Sequence, residues 1–112
     1  MKTRYAILMV ALALGSCMFQ EELSPADDDF RGNWDSDRYA IQIFRNGYGI
    51  VDIRNRGRCE GNVRIEGDRI IFRSETESST IGRKAFHIDQ RPMEDSNGVW
   101  FMILDGERLE RL

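Results

Sequence analysis

Few residues in this 112-residue chain are of types that do chemistry, and their spacing narrows the options quickly. The only histidine, His87, stands two residues before Asp89 in an alternating run, so the two side chains share one face of a strand and could support general base catalysis. Phe86 and Ile88 claim the inward face of that run, which turns His87 and Asp89 outward into water, away from any Ser or Cys nucleophile. One His and one unpaired Cys cannot furnish a tetrahedral zinc site. The acidic runs Asp27-Asp28-Asp29 and Asp35-Ser36-Asp37 lack the spaced ligands and the glycine of a calcium loop. No glycine-rich loop precedes a helix in the manner that cradles phosphate. The chain is therefore expected not to be an enzyme and to hold neither metal nor cofactor.

The two thiols, Cys17 and Cys59, have different prospects. A bridge between them is open to an exported chain, but Cys17 precedes every residue expected to pack, and a bridge there would constrain little. Cys59 lies in a β-type run, where a lone cysteine is ordinarily a small buried hydrophobe. Cys17 closes a different pattern. Lys2 and Arg4 precede a ten-residue uncharged run, Tyr5 to Leu14, half the roughly 20 residues a spanning helix needs, so residues 1–16 form an export signal and not a membrane span. That run ends Leu14-Gly15-Ser16-Cys17, which resembles the lipobox of bacterial lipoproteins: an aliphatic and two small residues before a Cys that is acylated and becomes the new N-terminus. The competing reading is an ordinary cleavage site at Gly15 and Ser16. The resemblance implies lipidation, with palmitate-type chains, at Cys17. Each buried methylene adds about 0.8 kcal/mol, so several chains hold a protein on a membrane without spanning it.

Between Met18 and Asp29 stand five acids and no base, a self-repelling composition expected to form an extended acidic tether over residues 17–29. Acids soon after the lipidated Cys resemble the surface-export signals of Bacteroidetes lipoproteins. This places the chain in the cell envelope, at the outer membrane, on either its periplasmic or its outer face. Residues 30–112 then carry fourteen acids and fourteen bases. Such a balanced body does not suit a nucleic-acid partner. The Arg54 to Arg58 stretch is its one local exception and is expected to be a solvated loop.

The body is expected to be all-β. From Cys17 onward its aliphatics are ten Ile and three Val against four Leu and three Ala. Alternation and turn residues divide residues 30–112 into about eight short strands. A short first strand runs near Phe30 to Asp35. Tyr39 to Arg45 meets Asn46-Gly47 and returns as Ile50 to Arg54; Gly61 to Ile65 meets Glu66-Gly67-Asp68 and returns as Arg69 to Arg73. A polar loop from Ser74 to Thr80 leads to Arg83 to Asp89, a second loop from Pro92 to Gly98 leads to Val99 to Leu104, and Asp105-Gly106 turns into Glu107 to Leu112. Such short connections predict an antiparallel up-and-down meander that closes into a barrel. Its inward set is Ile41, Ile43, Val51, Ile53, Val63, Ile65, Ile70, Phe72, Phe86 and Ile88. Two strands break the alternation. Val99 to Leu104 is apolar on both faces and Tyr39 to Phe44 nearly so, which makes Trp100, Phe101 and Met102 candidates for an interface with a partner, the tether or a ligand, unless a loop folds over them.

Gly32-Asn33-Trp34 on the first strand and Arg111 at the end of the last, with Arg108 as the alternative, resemble the calycin signature of lipocalins and small lipocalin-like bacterial lipoproteins. That resemblance implies a Trp34 plug at one barrel end with an Arg over its indole, a contact of about 0.5–2 kcal/mol. It also implies a binding module for an apolar or amphipathic small ligand. The chain is shorter than lipocalins, has no C-terminal helix and lacks their disulfides, so its inward Ile and Phe side chains can also fill the barrel. An interaction protein is then the alternative: a hydrolase inhibitor or an accessory subunit of an outer-membrane complex.

Overall fold

A computed structural model of the chain describes residues 22–77 and 79–112; the expected export signal, Cys17 and the start of the expected tether lie outside them. The eight strands are β1 (Gly32–Asp35), β2 (Tyr39–Ile43), β3 (Tyr48–Ile53), β4 (Gly57–Glu66), β5 (Arg69–Ser74), β6 (Arg83–Glu94), β7 (Trp100–Leu104) and β8 (Glu107–Arg111). Each pairs antiparallel with the next, and β8 returns to β1, so the expected meander closes into a barrel. The closing seam is short: Trp34 stands opposite Arg111 and Asp35 opposite Glu110, extended by the Leu112 N–H donating to the Asn33 carbonyl.

Turn chemistry sets the connections. At the β7–β8 hairpin both Asp105 (φ 49°) and Gly106 (φ 79°) take positive φ, the mirror-image turn whose twist matches that of the strands it joins. Turns alternate between the two barrel ends. One end carries the β2–β3, β4–β5 and β6–β7 connections, and the other carries β1–β2, β3–β4, β5–β6 and β7–β8.

Alternation places the core as expected. Ile41, Ile43, Val51, Val63, Ile70, Phe72, Phe86 and Ile88 are buried inside, while Ile53 and Ile65 sit half-buried against them. Cys59 is free and buried, with its Sγ 3.6 Å from the Phe72 carbonyl. The interior is full. Val51, Cys59, Ile70, Phe72, Met102 and Leu104 expose no surface, so no space that a water molecule could enter touches them. Room for Phe72 is made by Gly49, where a Cβ would lie 2.1 Å from Val63 Cγ2 and 2.9 Å from Phe72 Cε2.

Four expectations are corrected. Phe30 belongs not to the first strand but to a 3-10 helix, Pro25–Phe30, which carries it into the core. The tether does not extend to Asp29: Leu23 packs against the core and donates its N–H to the Arg45 carbonyl, and the 3-10 helix follows at once. β6 runs on to Glu94 instead of stopping near Asp89. Its first half pairs with β5 and its second with β7, with register shifts on both sides of Gln90. Pro92 fits there because a bulge asks no ladder N–H of it. Finally, Tyr39 to Phe44 does alternate, with Tyr39, Ile41 and Ile43 buried and Ala40 and Phe44 exposed.

A filled barrel is intolerant of added volume. Gly49→Ala is expected to destabilise the fold by about 1–3 kcal/mol, read as a lower urea midpoint, because the added Cβ would overlap both Val63 and Phe72. An unchanged midpoint would mean that slack exists beside Phe72.

Candidate functional site

The sequence-predicted plug assembles at the end where the 3-10 helix lies. Trp34 is buried on β1, and its Nε1 donates to the Phe30 carbonyl over 2.8 Å. The Arg111 guanidinium sits 4.8 Å from the Trp34 ring centre and 4.9 Å from that of Trp100, between the two indoles, and its Nη2 donates to the Asp29 carbonyl. Gly32 takes φ 132°, and a Cβ there would stand 3.2 Å from Arg111 Nε. Glycine therefore serves both the backbone conformation and the space for the arginine. Arg108, the alternative partner, lies elsewhere.

A second arginine holds the cap from β6. Arg91 Nη2 pairs with Asp27 Oδ1 at 2.6 Å, and its guanidinium lies 5.0 Å from the Phe30 ring centre. Sequence reasoning missed Phe30, Arg91 and Trp100 as members of this cluster. Phe30 and Arg91 are 61 positions apart with no motif between them, so no local signal could have joined them.

The candidate interface on β7 divides between two faces. Met102 is 0% exposed inside the barrel and cannot meet a partner, which corrects its inclusion. Trp100 is half-buried against the core and Arg111. Phe101 faces outward but is covered by its own chain: the Arg108 guanidinium lies 4.0 Å from its ring centre, held by Asp95 Oδ2 at 2.8 Å and Glu110 Oε2 at 3.0 Å. Asp95 has its carboxyl held below the usual range by the Val99 N–H and then by Arg108, and the pairing with Asp95 raises Arg108 in turn. Here the cover expected from a loop or partner is supplied by a neighbouring strand.

His87 does point outward, as expected, and stands where two hairpin tips meet β6. Its Nδ1 lies 3.0 Å from Asp89 Oδ1 and its Nε2 3.1 Å from Asp68 Oδ2 on the β4–β5 turn. The His87 N–H donates to Asp105 Oδ1, and Asp89 Oδ2 accepts from the Gly106 N–H, both on the β7–β8 turn. Arg69 is its cross-strand neighbour. The hydrogen bonds to Asp89 and then Asp68 raise the imidazole above its ordinary value, while the Gly106 N–H and His87 lower Asp89. With both ring nitrogens engaged, this cluster is arranged as a clasp between two hairpins. Among the described residues no three His, Cys, Asp or Glu side chains gather to hold a metal.

No protein-family model, curated protein or solved structure matches the chain.

Two measurements check these clusters. Arg111→Lys is expected to lower the thermal midpoint almost as far as Arg111→Ala, because an ammonium cannot stack flat between two indoles; the loss should be about 0.5–2 kcal/mol. Full retention by Lys would show that charge alone suffices. For His87→Gln, the folded-state pKa of the native residue is raised, so its contribution is fully present below the unfolded value of about 6.5 and disappears as pH rises through the folded value. The urea midpoints of native and variant chains should therefore differ below about pH 6 and converge in mild alkali. A gap that widens in alkali would contradict the clasp.

Proposed function

We propose that this chain is an anchored envelope lipoprotein whose barrel recognises a protein partner through its outer wall and turns, the interaction-protein reading, rather than enclosing a small ligand. The observation that carries this is the filled interior. Phe72, Phe86, Ile70, Met102 and Leu104 occupy the space where a lipocalin-like barrel of larger bore would hold an apolar guest. The cap closes one end with Trp34 and Phe30. Toward the other, Tyr39 and Phe86 meet edge to face with ring centres 5.0 Å apart, under the Lys84 ammonium.

The Gly32, Trp34 and Arg111 contacts support the calycin resemblance. Residues 14–17 support lipidation at Cys17 and attachment at the outer membrane. Open clefts mark the surface, such as that between Ala40, Ile53, Arg58 and Thr80. Such ground suits the side chains of a partner better than a free apolar molecule, which needs most of its surface enclosed. A non-catalytic role fits the engagement of both His87 nitrogens by carboxylates.

Intact mass of the membrane-extracted chain is expected to show loss of residues 1–16 and acyl chains on Cys17, and Cys17→Ser should move the chain to the soluble fraction. In native mass spectrometry against a denatured control, the lipid-bearing chain is expected to carry no further small molecule. Additional mass released on denaturation would return the assignment to ligand binding.

A further inference from the structure

Three large hydrophobic side chains stand exposed among the described residues, Phe44 (41%), Met93 (43%) and Leu112 (83%), and the first two lie at the capped end. Phe44 follows Ile43, which pairs with Gly32 just beyond the cap. Met93 is two residues past Arg91, which grips Asp27 of the cap. Leu112 lies apart from them, beside Asn33, Ala40 and Ile50 on the outer wall of β1–β3. At the opposite end the turns over 36–38, 54–56, 75–77, 79–82 and 105–106 expose no large hydrophobic side chain among the described residues.

The capped end is also where the chain leads back toward Cys17. Leu23 is docked on Arg45 in the β2–β3 turn, directly beside Phe44. Leu23 stands six positions after Cys17, a reach of at most about 22 Å even when fully extended. A tether running free to Asp29 would have doubled that reach and left the barrel's orientation open. With Leu23 docked, a lipid on Cys17 would be held within that reach of the capped end.

We propose that the capped rim bearing Phe44 and Met93 is a membrane-contact surface that rests on the bilayer holding the Cys17 lipid, an inference that stands on the lipoprotein reading above. A lipid surface fits better than a second protein. The two side chains stand apart on the rim, Phe44 after β2 and Met93 near the end of β6, which a bilayer interface can accept as individual insertions, whereas a protein partner needs one continuous patch. Charge at this end is mixed, with Arg45 and Arg91 against Glu22, Asp27 and Glu94, so the contact is apolar in character and weakly sensitive to salt. The opposite end, with the β3–β4 turn and its Arg54, Asn55 and Arg56, then faces away from the membrane toward a partner.

The full chain, made with its own leader and extracted from membranes, is reconstituted into phosphatidylethanolamine–phosphatidylglycerol vesicles carrying a nitroxide at Phe44→Cys, Met93→Cys or, as control, Arg56→Cys. The acylated Cys17 and the buried Cys59 leave the introduced thiol as the labelled one. Oxygen concentrates in lipid and a nickel chelate stays in water, so labels at 44 and 93 should favour oxygen over nickel several-fold relative to the label at 56. An acylated, vesicle-bound chain whose three labels behave alike overturns the rim proposal and leaves the anchor standing. Dipolar broadening between labels at 44 or 93 would assign the rim to a second copy and likewise overturns it. A chain whose intact mass shows no acyl groups overturns the anchor, and the rim proposal with it.

Discussion

Closing eight short strands into one barrel requires the first and last to meet, and here they meet along the shortest seam in the sheet. Only Trp34 with Arg111 and Asp35 with Glu110 are in register, whereas β1 pairs with β2 along all four of its residues. A seam of that length gains little from backbone hydrogen bonds alone. Arg111 supplies the rest from a single side chain: it stacks on Trp34 of β1 and on Trp100 of β7, and its guanidinium donates to the carbonyl of Asp29 before β1 begins. Gly32 exists at its position so that this arginine can lie there. The same cluster seats the 3-10 helix, and through it the approach of the N-terminal segment, so closure, capping and orientation share one set of contacts.

Arginine dominates the basic residues of the body, with Lys84 the sole lysine after residue 16, and the structure gives that bias a physical reason. Arg91 lies over Phe30, Arg108 over Phe101, Arg38 over Tyr39 and Arg111 over two indoles. A barrel this small cannot hide every aromatic ring completely, and a flat guanidinium covers an exposed ring face while keeping its donors free for carboxylates. Asp27, Asp95 and Glu110 take up those donors. Ring, guanidinium and carboxylate are thus stacked in turn at Phe30, Arg91 and Asp27 on the cap and at Phe101, Arg108 and Asp95 on the outer wall.

Interior volume decides what such a barrel can do. Phe72 and Phe86 meet edge to face inside, and Gly49 gives up its side chain so that Phe72 fits. Side chains that fill the bore make the barrel a rigid support for its turns and outer wall. The His87 clasp adds to that rigidity by tying the β4–β5 and β7–β8 turns to the middle of β6.

Much of the scaffold was legible locally. Period-two alternation of Ile and Val, the Asn46-Gly47 and Asp105-Gly106 turns and the short connections determine eight antiparallel strands, their order and most of the core, because each signal lies within a few neighbouring residues. Gly32, Trp34 and Arg111 were visible as a spaced motif. What the sequence could not determine was which residues meet across the barrel. Phe30 entering the core, Arg91 gripping Asp27, Arg108 covering Phe101 and Met102 turning inward all depend on register between strands distant in sequence. Alternation says that Phe101 and Met102 point opposite ways, but only closure says which way is in. A strand apolar on both faces carries no such label, and only the tertiary structure, by placing Arg108 beside it, decided that its outer face is covered.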